Sequence, residues 1–240
     1  MTNAAIITFF MTNIDMKSVD LQRKVVEKFN KEKYPHYSIQ TSLRHGYSID
    51  LAWALNGVKN KTFEGHPVDQ RFDHDVLLFL DVDAVPLNDN AIDCLVTWAK
   101  LGELTGNIQR SNHIENNQHL FVAPSVLALS RDTYKLLDCP SAIETKSGDV
   151  AEEYTYEAES RNIRVSYYFP LKVDEKPQDG KMWQLKPPFP PYGRGTTFGV
   201  QYNPDSSLME KPKEMFWHQF QSMHEGQKEK FWAKCNGLLK

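Results

Sequence analysis

The sequence predicts an α/β fold: a single domain over residues 1–240, with a mainly parallel, Rossmann-like central sheet flanked by helices. Three observations carry this expectation. Strand-like and helix-like patterns alternate along the chain. Two strand patterns, residues 4–10 and 76–80, are unbroken apolar runs, as expected of strands covered on both faces. The 240 residues are 40% hydrophobic and 25% charged, an ordinary globular balance with enough apolar surface for one large core.

Element by element, the first apolar run is a buried strand. Residues 18–30 turn helical, with Leu21, Val25 and Phe29 at a spacing of four. Residues 36–41 alternate and read as a second strand. Ser48 is placed to cap a helix through Ala54, with Leu51, Ala52 and Leu55 on one face and Gly57 ending it. Residues 76–80, Val-Leu-Leu-Phe-Leu, form the strongest strand, followed at once by polar residues and Pro86. Asn88 or Asn90 can cap a helix carrying Ile92, Leu95, Val96 and Ala99. Residues 119–130 read as one or two strands interrupted by Pro124, and 131–137 as a short helix. A helix over 149–161 and a strand over 163–169 follow. Residues 174–215 are rich in Pro, Gly and Lys and read as long loops, which in a compact domain are often functional. Residues 216–239 become helical in their later part.

Composition narrows the function. A net charge of −3, with no basic run of five, argues against a nucleic-acid partner. Cys94, Cys139 and Cys235 are odd in number, far apart and without CxxC spacing. That pattern speaks against a disulfide framework or a structural zinc site, and fits a reducing, cytoplasmic compartment. No stretch approaches the roughly 20 apolar residues that span a bilayer. No Lys or Arg precedes the short run at 4–10, which makes it a poor signal peptide. A soluble enzyme working on a membrane-bound acceptor is compatible with all of this.

Four motifs can carry chemistry. Asp81-Val82-Asp83 places two carboxylates one residue apart at the carboxyl end of a buried strand, where open α/β sheets bind ligands. Two unpaired carboxylates there are costly, and a divalent cation both relieves the cost and can clamp a diphosphate. Alternatively, Asp81 or Asp83 caps the following turn. In Gly148-Asp149-Val150-Ala151-Glu152-Glu153, the acids fit a capping box at a helix start. They also fit a base that deprotonates an acceptor hydroxyl. His218 lies in Phe216-Trp217-His218-Gln219-Phe220, with His224 six residues on. A histidine among aromatics is usually structural and becomes a metal candidate only beside the first motif. Tyr192-Gly193-Arg194-Gly195-Thr196 and the weaker Arg44-His45-Gly46 are either surface turns or backbone and basic groups that approach phosphates.

The order of these motifs resembles GT-A glycosyltransferases across roughly residues 4–224. It runs from an apolar first strand to Leu-Phe-Leu-Asp81-Val-Asp83 before Pro-Leu. His119-Leu-Phe-Val-Ala-Pro-Ser125 and Leu-Ala-Leu-Ser-Arg131 come next, then Gly148-Asp149 with Glu152-Glu153, and last Phe-Trp-His218-Gln-Phe. The resemblance implies transfer of a sugar from a nucleotide-sugar donor, UDP-linked by preference, to a hydroxyl of a glycan, lipid-linked or protein acceptor. It implies Mn²⁺ or Mg²⁺ on Asp81 and Asp83, with His218, or His224 in its place, completing the shell. Donor contacts fall to Thr8, Phe9, Arg44, Asp81, Val82, Asp83, Gly195 and Thr196. The acceptor base falls to Asp149, Glu152 or Glu153, a segment that departs from the adjacent Glu-Asp of many inverting enzymes.

Two other readings compete. Leu77 to Val85 fits the hhhhDxDx(T/V) wording of haloacid-dehalogenase-like phosphatases, with Asp81 as nucleophile and Asp83 as acid/base. That family places the motif on its first strand, whereas some 80 residues precede it here. A non-catalytic module of the same fold that binds a glycan or nucleotide is the other alternative.

Overall fold

The computed structural model describes residues 3–58, 62–63, 66–111, 118–175, 192–200, 212–220, 222 and 226–240. Strand β1 (Ala4–Met11) is followed by helix α1 (Met16–Phe29), β2 (His36–Thr41), α2 (His45–Leu55) and a small ladder of β3 (Thr62–Phe63) and β4 (His66–Pro67). Then come β5 (Val76–Leu80), β6 (Ala84–Pro86), α3 (Ala91–Lys100), β7 (Leu104–Arg110), β8 (Leu120–Ser130), α4 (Arg131–Leu136) and α5 (Glu152–Ser160). The chain closes with β9 (Val165–Glu175), β10 (Arg194–Val200), β11 (Lys213–His218) and α6 (Gln227–Leu239).

Nine strands form one sheet in the order β2-β1-β5-β8-β7-β9-β10-β11-β6. Pairs β1–β2, β1–β5 and β7–β9 are parallel, and the other five neighbouring pairs are antiparallel. The α/β class is as expected, but the sheet is mixed rather than mainly parallel. Part of the reason lies in β8, which runs antiparallel to both β5 and β7, and part in 174–215, expected to be loops. That stretch contributes β10 and half of β11, which return against β9 and each other without a crossover helix. Parallel pairing needs such a crossover.

Burial follows the pleat. Ile6, Leu78 and Leu80 face a core shared with Leu95 of α3 and Phe216 of β11. Their neighbours Ile7, Leu77 and Phe79 face Trp53 of α2, Tyr134 of α4 and Tyr154 of α5. Trp53 and Tyr134 stack there at 4.2 Å. A third cluster docks α6 onto α1 through Leu21, Val25, Trp217, Phe231 and Cys235.

Some boundaries differ from expectation. Helix α2 starts at His45 with Arg44 as N-cap, so Ser48 lies inside it, its hydroxyl donating back to the Arg44 carbonyl at 3.2 Å. Helix α5 starts at Glu152, after Ala151 in a left-handed conformation (φ 61°). Strand β8 runs through Pro124 as one element. Its register against β7 jumps there, from Gly106↔Leu127 to Ile108↔Val122. Proline has no N–H to give a ladder, and a bulge is where a strand tolerates it. Gly106 stands at the same place because a β-carbon on it would sit 1.9 Å from the Val126 carbonyl oxygen.

Only residues 81–83 separate β5 from β6, a reach of about 14 Å at full extension. Yet β5 is the third strand in the order and β6 is its ninth and last. The sheet therefore curls until its far edge returns to the tip of β5.

Candidate metal and donor site

The turn between β5 and β6 carries both carboxylates. The Asp81 N–H donates to the Ser125 carbonyl at 3.0 Å, and the Ala84 N–H closes the turn on the Asp81 carbonyl at 2.9 Å. Gln22, fully buried on α1, donates its side-chain amide toward the carbonyls of Asp81 (3.0 Å) and Ala84 (3.4 Å) and the Thr8 hydroxyl (3.2 Å). The backbone of the turn is thus held from below, which leaves the Asp81 and Asp83 side chains to face the cleft.

Strand β11 brings the third group. It pairs with β6 so that His218 stands opposite Ala84, and the Gln219 N–H donates to the Asp83 carbonyl at 3.0 Å. His218 Nε2 lies 3.2 Å from Asp83 Oδ1 and 3.7 Å from Asp81 Oδ2. One ligand atom from each of the three lies within 4.8 Å of the others. Carboxylate oxygens with one imidazole suit Mn²⁺, and the oxygens suit Mg²⁺, so the donor set fits the expected cation. His224 lies outside the described residues.

The electrostatics match that use. Burial pushes the Asp81 carboxyl above its usual range and Asp83 adds to the push, against the pull of His45 and His218. Burial acts on Asp83 in the same sense, but His218 and the Ser222 N–H, 3.2 Å from Oδ2, outweigh it and hold that carboxyl low. Burial alone would lower His218, yet Asp83 and then Asp81 raise it. Two acids and one base thus compete for protons in a buried space, a conflict that a divalent cation resolves.

His45, in the first turn of α2, reaches Asp81 from the other side, with Nε2 3.3 Å from Oδ1. Its neighbour Arg44 turns to Glu144 (3.1 Å) with its side chain 80% exposed. Phe9 and Val82 line an apolar recess beside the carboxylates together with Phe10, Met11, Ile14, Thr41, Leu43, His45 and Ser48. Thr8 is fully buried below it, its hydroxyl engaged by Gln22 and by His36 at 3.0 Å. Gly195 (φ 71°) abuts Asp174, and a β-carbon there would stand 2.4 Å from Oδ2. Thr196 is buried, with its hydroxyl donating to the Gly193 carbonyl at 2.6 Å. It stands opposite His218 in the ladder, so Gly195 and Thr196 brace β10 from behind the histidine.

The three acids of the later motif separate. Asp149 is half-buried, accepting from Gln109 at 3.4 Å and from the Val150 N–H at 2.8 Å. Its charge reaches the Tyr192 hydroxyl, as do those of Asp81 and Asp83, and all three reinforce burial in raising that phenol. Glu152 is fully buried, 2.6 Å from His119 Nδ1, and accepts from the Asp149 N–H at 2.7 Å. That last bond is one half of the expected capping box. Glu153 is exposed. The three do not share one face, because Asp149 precedes the helix and consecutive helical residues diverge.

Three contributors had no role of their own assigned from the sequence. His45 was visible beside Arg44 as a basic loop, and Tyr192 as the start of the glycine-rich turn. Gln22 gave no signal, since a polar residue in a helix pattern reads as solvent-facing.

No protein-family model matches the chain and no curated protein is similar to it. Among solved structures, it is similar to a mutant of the Drosophila beta-1,4-galactosyltransferase 7 in complex with manganese, UDP-Gal and xylobiose. The identity is 13%, the TM-score 0.43, and the match covers 72% of this chain and 67% of that one. It is similar to a mannosyltransferase from Pyrobaculum calidifontis in complex with GDP-Man and Mn²⁺, at 11% identity and TM-score 0.44, over 75% of this chain and 58% of that one. A glycosyltransferase from Streptococcus pneumoniae matches at 13% identity and TM-score 0.39, over 70% and 45%. The chain spans only about half to two thirds of the length of these chains.

Proposed function

We propose that the chain is a glycosyltransferase that moves a sugar from a nucleotide-sugar donor to an acceptor hydroxyl with Mn²⁺ or Mg²⁺ on Asp81, Asp83 and His218. One observation carries the reading. Two carboxylates at a strand tip and an imidazole 135 residues away meet within ligand distance beside an apolar recess. A cation held there would neutralise the diphosphate as it leaves. The recess, floored by Phe9 and Val82, takes the base. The donor is UDP-linked by the resemblance of the motifs, and its base lies against Phe9 and Val82. Asp149, the half-buried acid on the Tyr192 side of the site, takes the acceptor proton. The acceptor is a glycan, a lipid-linked sugar or a protein. Among the described residues, no helix is long and apolar enough to cross a membrane.

The phosphatase reading needs Asp83 as a proton donor. Its Oδ2 accepts from the Ser222 N–H, and His218 beside Oδ1 helps to hold the carboxyl low, which fits a carboxylate and not an acid. The test is release of nucleoside diphosphate from a panel of UDP- and GDP-sugars with Mn²⁺. Release from one donor, lost in Asp83→Ala and on chelation, is the expected outcome. Hydrolysis of a generic phosphate ester, or no donor turnover at all, overturns the reading.

A further inference from the structure

We infer that Tyr192 is a positioning residue that fixes which ring nitrogen of His218 faces the metal position. The inference rests on reading Asp81, Asp83 and His218 as a metal site. Tyr192 is almost fully buried, and its hydroxyl lies 2.5 Å from His218 Nδ1. His218 itself is buried, so each ring nitrogen needs a partner from the protein or the ligand.

The hydrogen-bond bookkeeping admits one arrangement in the loaded site. A nitrogen that ligates a cation must offer its lone pair, so Nε2 carries no proton and the neutral ring carries it on Nδ1. Nδ1–H then donates to the Tyr192 oxygen. The phenol proton then points away from the imidazole, and the Tyr192 oxygen serves His218 as the acceptor. A phenylalanine at 192 keeps the packing against Phe198 and Phe220 but leaves Nδ1–H without an acceptor. The ring then does better with its proton on Nε2, facing the carboxylates, and that tautomer cannot bind the cation.

The experiment titrates Mn²⁺ alone into the full chain, followed by electron paramagnetic resonance. Tyr192→Phe should bind Mn²⁺ about 10–100-fold more weakly than the wild type. Tyr134→Phe is the control. It removes an equally buried phenol, donating to the Pro140 carbonyl at 2.9 Å, on the other face of the sheet. It should lower stability by a similar amount and leave Mn²⁺ affinity unchanged. Equal affinity in Tyr192→Phe and wild type overturns the inference while the metal site stands. Absence of Mn²⁺ binding in the wild type overturns the metal site and the inference together. If Tyr192→Phe does not fold, the wild type decides. With diamagnetic Zn²⁺ bound, ¹⁵N–¹H couplings of His218 should show Nδ1 protonated and Nε2 ligated, and the reverse assignment overturns the inference.

Discussion

Asp149 accepts from Gln109 and from the Val150 N–H yet stays half-buried, while Glu152, three residues on, is sealed against His119. The difference in surroundings assigns different work to the two acids. A base must be able to meet a hydroxyl from outside, and Glu152, fully buried against His119, cannot. Asp149→Asn should therefore leave donor affinity near normal and lower transfer at least about 10²-fold, read from kcat against donor KM. Transfer at the wild-type rate would leave Asp149 as part of the turn before α5 and nothing more. At this scale the carboxylates of Asp81 and Asp83 were legible because their spacing fixes them on one tip. The roles of His45 and Tyr192 were not legible. Each is defined by a partner 36 and 26 residues away, Asp81 for the first and His218 for the second, and residue type alone names no partner.

Helix α5 is pinned to the sheet by the His119–Glu152 pair, with Glu159 a further 3.4 Å contact and Tyr156 stacked on the imidazole at 3.9 Å. Burial opposes the charge on His119, but hydrogen bonding and the charge of Glu152 raise it above its ordinary 6.5. Burial likewise opposes Glu152, but His119, the Asp149 N–H and Ser111 hold it below its ordinary 4.5. A raised histidine stabilises fully below its unfolded value and loses the effect as pH rises through its folded value. A depressed carboxylate stabilises fully above its unfolded value and loses the effect as pH falls through its folded one. The pair therefore gives most between about pH 4.5 and 6.5. His119→Gln should cost more stability at pH 5.5 than at pH 8, measured by urea unfolding at both. An equal cost at both pH values would mean that the imidazole is not charged in the fold. Elements with a strong period, β1, α1, β5 and α3, were legible from sequence. Strands β10 and β11 were hidden by their setting, since 174–215 is dense in Pro and Gly and their pairing partners are each other and β9. The ladder is antiparallel and its buried β10 positions include Gly195, Thr196, Thr197 and Gly199, so no continuous apolar run marks that strand.

Across the whole molecule, α6 is the part that holds β11 from outside. Phe231 is fully buried and stacks at 6.2 Å on Trp217, the residue before His218. Phe231→Ala should cost about 3–5 kcal/mol of stability by urea unfolding. A loss below about 1 kcal/mol would mean that α6 is not integral to the domain. The curl of the sheet has a temporal side as well. Asp83 and His218 are 135 residues apart, and a ribosome adds about 5–20 residues per second. A growing chain thus exposes its paired carboxylates on the order of ten seconds before the histidine emerges. The strand that delivers the histidine is also the one that receives β6, so the last edge of the sheet and His218 arrive together. On the proposed metal site, cation capture would be a late event in the life of each chain. It would act as a latch on the finished sheet, slowing its opening and doing little to hasten its assembly.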